Sequence, residues 1–225
     1  MTWVKICGIT NLEDALVAVE EGADAVGFVF YEKSPRKISV EAARQIVKKL
    51  PAGVEKVGVF VDADSKTILE VVSRAGLTAV QLHGKQSSES VLGDPRSTVE
   101  CVGAKKLIVM IHGDSLKDGG FFMGTGAGAK PFAVLLDSSS KGVTGGTGTT
   151  FDWDKTSARV QALGLNVPII VAGGLTPTNI GEAIGTLHPF GVDVASGVEA
   201  GPGKKDAEKV RAFVRAVREI DRKAS

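Results

Sequence analysis

The chain has 225 residues, enough for one large domain or two small ones, and single α/β barrels commonly reach this length. Apolar residues make up 43%, which supports a sizeable core, and the formal net charge of +1 argues against a nucleic acid or an anionic membrane as partner. No stretch resembles a secretory signal or a membrane span, and the two cysteines, Cys7 and Cys101, do not suggest a disulfide framework. We therefore expect a cytoplasmic protein.

Short apolar runs alternate with amphipathic segments along the chain. Eight such runs are predicted strands: Trp3–Cys7, Ala25–Phe30, Glu55–Val61, Ala79–Leu82, Lys106–Ile111, Phe132–Asp137, Pro168–Ala172 and Val192–Ala195. This alternation predicts an α/β fold, a (β/α)8 TIM barrel, as one domain over residues 1–225. Residues 113–130 are rich in glycine and weakly periodic, which predicts an irregular fifth helix region, and residues 93–103 are also poorly patterned. No Gly-x-Gly-x-x-Gly follows the first strand, which counts against a dinucleotide-binding sheet.

Helix signals lie between most of these runs. Thr10 and Glu13 have the spacing of a capping box, so the first helix is predicted to begin after Thr10. Thr176 followed by Pro177 predicts the start of a later helix. The last helix is predicted from an apolar stripe of Val210, Phe213, Val214, Val217 and Ile220.

Two side chains at predicted strand ends could move protons. Side chains alternate along a strand, so Lys5 and Cys7 share one face and point toward the barrel interior or its mouth. A lone strand cysteine is usually an inert core residue, but Cys7 stands at the strand end with a glycine next to it. Asp137 closes the sixth run, where an acid either faces the mouth or caps the next helix. Lys5 should pair with a buried acid, for which Asp193 is the candidate, because an unpaired buried ammonium is costly.

Three glycine-bearing turns resemble anion cradles. They follow the sixth, seventh and eighth predicted strands: Gly145-Gly146-Thr147-Gly148, Gly173-Gly174 and Ser196-Gly197. One such sequence is usually only a tight turn, but the loops after strands seven and eight form the recurring phosphate site of these barrels. Glycine lets the backbone come close to a ligand, and its N–H groups can point at oxygens. The pattern predicts a phosphate site made of Gly146, Gly148, Gly173, Gly174, Ser196 and Gly197.

Two further polar residues follow predicted strands. Arg36, in the loop after the second strand, is either a solvated surface charge or a clamp that grips a carboxylate through two parallel hydrogen bonds. In both cases its side chain is expected to be largely exposed. His83 shares an inner face with Gln81 and is either polar lining or a proton carrier. No second histidine lies nearby and the sequence has no Cys-x-x-Cys pair, so no metal site is predicted.

Several motifs together resemble one known family, the phosphoribosylanthranilate isomerases of tryptophan biosynthesis. The resemblance covers nearly the whole chain, with motifs in the family's order at the expected strand ends. They are Lys5-Ile6-Cys7-Gly8-Ile9-Thr10, Gln81-Leu82-His83-Gly84, Leu135-Leu136-Asp137-Ser138, Gly145-Gly146-Thr147-Gly148 with Phe151-Asp152-Trp153, Ala172-Gly173-Gly174-Leu175, and Gly191-Val192-Asp193-Val194-Ala195-Ser196-Gly197-Val198-Glu199. The chain departs from the family's pattern between residues 93 and 130, where the family has a clearer fifth strand and helix.

The resemblance implies an intramolecular aldose-ketose isomerase. It would convert N-(5-phosphoribosyl)anthranilate to 1-(2-carboxyphenylamino)-1-deoxyribulose 5-phosphate by an Amadori rearrangement. No cofactor is implied, because the Schiff base within the substrate is its own electron sink. The resemblance implies that Cys7 is the general base and Asp137 the general acid. It also implies that Arg36 binds the carboxylate of anthranilate. Asp193 would lie near the sugar hydroxyls, and His83 would line the substrate site.

The expected partner is therefore a small phosphosugar, with no nucleic acid and no membrane, and the sequence carries no signal for an oligomer or a partner enzyme. Two other functions stay open. The related isomerase of histidine biosynthesis has a similar reaction and phosphate site, but it uses an aspartate where this chain has Cys7. A non-catalytic binder of phosphorylated ligands would keep the glycine turns, but it would not need a thiol and an acid together at the mouth. Cys101 is expected to be chemically idle and not to pair with Cys7.

Overall fold

Eight parallel strands form a closed barrel in a computed structural model that describes residues 1–83, 106–112, 131–137 and 167–224. Each strand pairs with the next along the chain, and the eighth pairs with the first. The strands are β1 (Trp3–Cys7), β2 (Ala25–Val29), β3 (Glu55–Val61), β4 (Ala79–His83), β5 (Lys106–His112), β6 (Ala133–Asp137), β7 (Ile169–Ala172) and β8 (Gly191–Val194). The predicted TIM-barrel fold is confirmed, with strand ends shifted by no more than one residue.

Helices cover the outside of the barrel in the described part of the chain. They are α1 (Leu12–Glu20), α2 (Val40–Val47), α3 (Ser65–Ala75), α4 (Ile180–Leu187) and α5 (Ala207–Ala224). The predicted stripe on the last helix is buried at Val210, Phe213, Val214 and Val217. The poorly patterned residues 93–103 and the predicted irregular region 113–130 lie outside the described residues.

Alternation along the strands divides the apolar side chains into two cores. The outward-facing residues of each strand pack beneath the helices, as Val4 and Ile6 of β1 do. The inward-facing residues fill the barrel: Ala25, Val57, Ala79, Ile108, Met110, Ala133, Leu135, Ile170 and Ala172. The barrel is therefore a packed body, and space for a ligand lies above this layer, at the carboxyl ends of the strands.

The predicted capping box of Thr10 and Glu13 is wrong. The first helix begins at Leu12, and Asn11 is its cap, with its side-chain oxygen accepting from the N–H of Asp14 at 2.9 Å. The Thr10 hydroxyl instead donates to the Gly203 carbonyl at 2.5 Å. A tertiary contact thus takes the hydroxyl that the local pattern assigned to the helix.

The start of α4 differs in detail from the prediction. Thr176 Oγ1 does accept from the N–H of Asn179 at 3.3 Å, and the N–H of Thr176 donates to Asn179 Oδ1 at 2.8 Å. The first regular helical residue is Ile180, one turn after Pro177. The predicted start of the helix is therefore wrong: Asn179 is the N-cap, and the Thr176 hydroxyl closes the turn that leads into the helix.

A short antiparallel ribbon follows the eighth strand on the mouth side. A 3-10 turn, Ser196–Val198, leads into β9 (Glu199–Gly201), which pairs with β10 (Lys204–Lys205) before α5 begins. We call residues 199–205 the ribbon. In the described part of the chain, no helix combines the length and apolar character that crossing a membrane requires.

The end of α3 provides a test of backbone conformation. Gly76 closes the helix in the left-handed region at φ +74°, and its N–H donates to the Val72 carbonyl at 3.0 Å. A Cβ there would lie 3.5 Å from Val47 Cγ1, so Gly76→Ala adds backbone strain without a steric clash. We expect a loss of about 1 to 2 kcal/mol in the free energy of unfolding, measured in urea.

The matched control is Gly53→Ala. Gly53 is exposed, a Cβ there meets nothing within 4 Å, and its φ is not in the left-handed region. The free energy of unfolding of Gly53→Ala should stay unchanged or rise by about 0.4 kcal/mol, because alanine restricts the unfolded chain. Equal effects of the two substitutions would contradict the strain at Gly76.

Candidate active site

A buried ion pair lies inside the barrel just below the mouth. The register of β1 and β8 sets Lys5 opposite Asp193, and Lys5 Nζ donates to Asp193 Oδ1 at 2.9 Å. Burial by itself would lower the pKa of the fully buried Lys5, but the negative charge and the hydrogen bond of Asp193 oppose burial, and that pKa is raised. The predicted pairing of Lys5 with Asp193 is confirmed, and Lys5 stays an ammonium.

Cys7 is the last residue of β1 and lies on the same inner face as Lys5. Its thiol is free and buried, with apolar side chains of β2 and β3 packed against it. Burial raises the pKa of the thiol, and the positive charges of Lys5 and Lys205 oppose part of that increase. The structure therefore gives Cys7 an environment that keeps it protonated at rest and places two cations where they stabilise a thiolate.

Gly27 provides the space that the Cys7 thiol occupies, and the sequence analysis missed it. It is the register partner of Cys7 on β2. A Cβ on Gly27 would lie 2.8 Å from Cys7 Sγ and 3.1 Å from Lys5 Cε. The signal in the sequence was a glycine inside an apolar run, which often marks a close approach.

Asp137 ends β6 on the inner face, two residues after the buried Leu135, and is half-buried. Burial raises the pKa of Asp193, and the negative charge of Asp137 adds to that effect, so the two carboxyl groups lie within electrostatic reach. β7 and β8 separate β6 from β1 around the barrel. The structure thus brings Cys7, Asp193 and Asp137 to one mouth, with the thiol and the terminal acid on different parts of its rim.

His83 is the last residue of β4 and is half-buried at the same mouth. Its Nε2 lies 2.5 Å from Nε2 of Gln81, two residues earlier on the same strand. The Gln81 amide nitrogen can donate to this ring nitrogen in the tautomer that has no proton on Nε2. Gln81 Oε1 is buried and has no hydrogen-bond partner among the described residues. His83 and Gln81 thus form a polar pair at this part of the mouth.

The expectation that Arg36 is largely exposed is wrong. Its side chain is only 22% exposed, because its Nε donates to Glu199 Oε1 at 2.8 Å and its Nη2 donates to Glu199 Oε2 at 2.7 Å. Its stem lies on Gly8, where a Cβ would come within 2.6 Å of Arg36 Cδ. The Glu199 hydrogen bonds raise the pKa of Arg36 despite burial. Arg36 therefore lies beside the end of β1, next to Cys7, and is held in place by a carboxylate.

The ribbon supplies two charged residues to the mouth to which the sequence analysis gave no role. Glu199 is buried and also accepts from Lys205 Nζ at 2.9 Å, and the same ammonium donates to the Ala195 carbonyl at 3.0 Å. Burial would raise the pKa of Glu199, but hydrogen bonds from Arg36 and Lys205 outweigh burial and lower it. Glu199 closed one of the recognised motifs, but only the fold shows which cations it meets.

The turns after β7 and β8 are in direct contact. Gly173 and Gly174 both adopt left-handed backbone conformations, at φ +86° and +62°. A Cβ on Gly197 would lie 1.8 Å from the carbonyl oxygen of Leu175, so the Ser196-Gly197 turn packs on the backbone that follows Gly174. Four of the predicted phosphate-binding residues thus lie together. Gly146, Gly148 and Cys101 lie outside the described residues.

The described residues contain no group of three or more His, Cys, Asp or Glu arranged to hold a metal ion. A closed parallel barrel with polar side chains and glycine turns at the carboxyl ends of its strands has the architecture of a (β/α)8-barrel enzyme, whose active sites lie at that face. A family profile described as N-(5'phosphoribosyl)anthranilate (PRA) isomerase matches residues 4–216. The chain therefore belongs to the phosphoribosylanthranilate isomerase family.

Relatives named N-(5'-phosphoribosyl)anthranilate isomerase match over nearly their full length. One from Geotalea uraniireducens is 45% identical over 215 residues, which is 96% of this chain and 98% of the relative. One from Pseudomonas fluorescens is 44% identical over 95% of this chain and 97% of the relative. The structure is also similar to a crystal structure of monomers generated from the dimeric phosphoribosylanthranilate isomerase of Thermotoga maritima. The TM-score is 0.79, the identity is 39%, and the match covers 97% of this chain and 100% of that chain.

A further solved structure holds a ligand. It is a phosphoribosylanthranilate isomerase in complex with reduced 1-(o-carboxyphenylamino)-1-deoxyribulose 5-phosphate, with a TM-score of 0.77, 40% identity, and coverage of 97% of this chain and all of that one. Membership of this family makes the chain an isomerase of tryptophan biosynthesis. Its reaction is the Amadori rearrangement of N-(5'-phosphoribosyl)anthranilate, as the motifs indicated.

Gly27 allows a test of how the thiol is placed. Gly27→Ala puts a methyl group 2.8 Å from Cys7 Sγ, so the thiol must rotate away. We expect kcat to fall by about tenfold or more, since a misplacement of about 1 Å can cost up to a hundredfold. The measurement is steady-state turnover, with circular dichroism to verify folding.

The control substitution is Gly185→Ala in α4, where a Cβ meets nothing within 4 Å. It should leave turnover unchanged and stabilise the helix slightly. A Gly27→Ala enzyme with kcat within twofold of wild type would show that Gly27 does not control the position of Cys7.

Proposed function

We propose that Cys7 is the general base and Asp137 the general acid of this rearrangement. The acid protonates the furanose ring oxygen as the bond from that oxygen to the first sugar carbon breaks. The nitrogen lone pair then forms the Schiff base, and the ring oxygen leaves as a hydroxyl. The base removes the proton from the second sugar carbon, and the electron pair moves to neutralise the nitrogen, giving an enolamine. Tautomerisation with protonation of the first carbon completes the aminoketose.

The placement of the two groups supports this assignment. Cys7 ends β1 and Asp137 ends β6, and both face one mouth. β7 and β8 lie between these strands, and Asp193 on β8 pairs with Lys5 on β1. General acid and base must reach opposite parts of one sugar, which neighbouring residues on one strand do not do. A buried thiol with a raised pKa is a stronger base once deprotonated, and the cations near Cys7 limit the cost of forming the thiolate.

Binding of the two anionic ends of the substrate is assigned to the rim. The guanidinium of Arg36 has five N–H donors, and Glu199 takes two of them, which leaves its Nη1–Nη2 edge for the anthranilate carboxylate. Backbone N–H groups at Gly173, Gly174, Ser196 and Gly197 would hold the phosphate, and Gly146 and Gly148 would add to it. Asp193 would contact the sugar hydroxyls, and His83 would line the site.

The observation that carries the proposal is the thiol at the end of β1. It distinguishes this site from that of the histidine-biosynthesis isomerase, which the sequence analysis kept as an alternative with an aspartate at this position. We further propose that the protein is a single domain over residues 1–225 and works in the cytoplasm. Its partner is the small phosphosugar substrate, with no nucleic acid, membrane or cofactor required.

Substitution of the proton carriers tests the mechanism. Cys7→Ser replaces the thiol by a much weaker acid that is hard to deprotonate, and Asp137→Asn removes the acidic proton. Each should reduce kcat by about a hundredfold or more, the usual loss when a general acid or base is removed. Turnover is followed by the loss of anthranilate-type fluorescence.

Both variants should unfold at the same urea concentration as wild type, to within the spread of repeated measurements. Cys101→Ser is the cysteine control, and its turnover should equal that of wild type. The aminoaldose of histidine biosynthesis is assayed in parallel. A folded Cys7→Ser or Asp137→Asn enzyme with near-normal turnover would remove that residue from the mechanism, and turnover of only the histidine-pathway substrate would overturn the substrate assignment.

The phosphate site is tested at Gly174. Nothing lies within 4 Å of a Cβ there, but φ is +62° and the residue is exposed at the turn, so Gly174→Val changes the backbone and covers its N–H groups. We expect KM to rise more than kcat falls, because phosphate contacts are similar in the ground and transition states. Inorganic phosphate should inhibit wild type competitively and Gly174→Val weakly. Equal inhibition of both would place the phosphate elsewhere.

A further inference from the structure

We propose that Glu199 and Lys205 are positioning residues for substrate specificity: they hold the Arg36 guanidinium so that its Nη1–Nη2 edge is presented to the substrate carboxylate beside Cys7. This inference rests on the proposed carboxylate-binding role of Arg36. It assigns to the ribbon a function in substrate discrimination, in addition to its place in the fold.

The geometry of the Arg36–Glu199 pair defines which edge is left for a ligand. The carboxylate of Glu199 is matched to Nε and Nη2 at 2.8 and 2.7 Å, one oxygen to each nitrogen. A planar guanidinium bound on this side keeps its adjacent donor edge, Nη1 and the second hydrogen of Nη2, directed away from Glu199. Glu199 thereby fixes a flexible side chain whose rotamer freedom would otherwise be lost when substrate binds.

Two glycines confine the rest of the Arg36 side chain and its loop. A Cβ on Gly8 would lie 2.6 Å from Arg36 Cδ, so the stem rests directly on the backbone next to Cys7. A Cβ on Gly203 would lie 3.1 Å from the carbonyl oxygen of Pro35, so the ribbon packs against the Arg36 loop. The Gly203 carbonyl also accepts the Thr10 hydroxyl at 2.5 Å. The ribbon therefore contacts both the loop that carries Arg36 and the segment that follows Cys7.

Lys205 restores the charge that Glu199 cancels. Arg36 and Glu199 alone would be a neutral pair, which attracts an incoming carboxylate weakly. The Lys205 ammonium is almost fully buried and lies 2.9 Å from Glu199 Oε1, so two cations share one anion and the cluster keeps a net charge of +1. Its second hydrogen bond, to the Ala195 carbonyl, ties the cluster to the residue before the Ser196-Gly197 turn.

The remaining contacts anchor the cluster to α1. The N–H of Lys205 donates to Asp14 Oδ2 at 2.7 Å, and the Asn11 amide donates to the same oxygen at 2.8 Å. Gly203 N–H lies 3.4 Å from Glu199 Oε1. Glu199 is thus surrounded by donors from Arg36, Lys205 and the ribbon backbone, which fits a rigid support.

The experiment compares two stable ligands by calorimetry. One is the reduced product, 1-(o-carboxyphenylamino)-1-deoxyribitol 5-phosphate, and the other is the same compound without the carboxylate. The measured quantity is the ratio of their dissociation constants, carboxylate-free over carboxylate-bearing, for wild type, Arg36→Met, Glu199→Gln and Lys205→Met. We expect a ratio of about 10 to 100 for wild type, the range of a hydrogen bond between charged groups.

Arg36→Met should bring the ratio close to one. Glu199→Gln keeps the size of the side chain and one acceptor but removes the charge that orients the guanidinium, so the ratio should fall by about fivefold or more. Lys205→Met should lower the ratio in the same direction. In both ribbon variants the affinity for the carboxylate-free ligand should stay within twofold of wild type, which a general loss of structure would not allow.

The control is Glu21→Gln, which breaks a similar ion pair with Arg211 outside the barrel, where Arg211 Nε lies 2.6 Å from Glu21 Oε1. Its ratio should equal that of wild type. If Arg36→Met lowers the ratio and both ribbon variants keep it, the positioning role is wrong while the Arg36 clamp stands. If Arg36→Met keeps the ratio, the clamp and the positioning role are both wrong. A higher ratio in Glu199→Gln would mean that Glu199 competes with the substrate, and this would also overturn the proposal.

Discussion

The buried pair of Lys5 and Asp193 is the constraint around which the mouth of this barrel is arranged. An ammonium with no solvent exposure requires a partner at hydrogen-bond distance, and the register of β1 with β8 supplies it. The pair occupies the inner face between the packed apolar layer below and the reacting groups above. Replacing one member alone would leave an uncompensated charge in the interior and destabilise the fold, so each residue requires the other.

Charge also organises the layer above the pair. Cys7 is within electrostatic reach of the Lys5 ammonium and of Lys205 in the cluster with Arg36 and Glu199, so cations of two groups favour its thiolate. The neutral thiol is favoured by burial, and the cations reduce the cost of its ionisation. A site of this kind keeps the base protonated at rest without making deprotonation prohibitive.

The small residues at the mouth are as important as the charged ones. Gly27 makes room for the thiol, Gly8 for the stem of Arg36, and Gly197 for the backbone that follows β7. Each lets two functional elements approach more closely than a side chain would allow. The glycines therefore set distances between groups that come from different strands, which the geometry of any single strand does not control.

The sequence by itself determined the elements and the identity of the chemistry. Short apolar runs and helical stripes are local, so the eight strands and the last helix could be predicted. The positions of Cys7 and Asp137 at strand ends and the family to which the motifs belong could be predicted as well. The pairing of Lys5 with Asp193 was also accessible, because a buried lysine on an inner face needs an acid on a neighbouring strand.

Only the tertiary structure decided what depends on contacts between distant segments. The Thr10 hydroxyl bonds to Gly203 and not within its helix, Arg36 is held by Glu199 and not exposed, and Lys205 reaches the same carboxylate from the far end of the ribbon. Thr10 and Gly203 are 193 residues apart and Arg36 and Glu199 are 163 apart, which no local pattern can span. The contact of Lys205 with Glu199 depends on the turn of the ribbon between them. The physical reason is barrel closure: β8 pairs with β1, which brings the first and last segments of the chain together. Local residue spacing carries no information about this pairing.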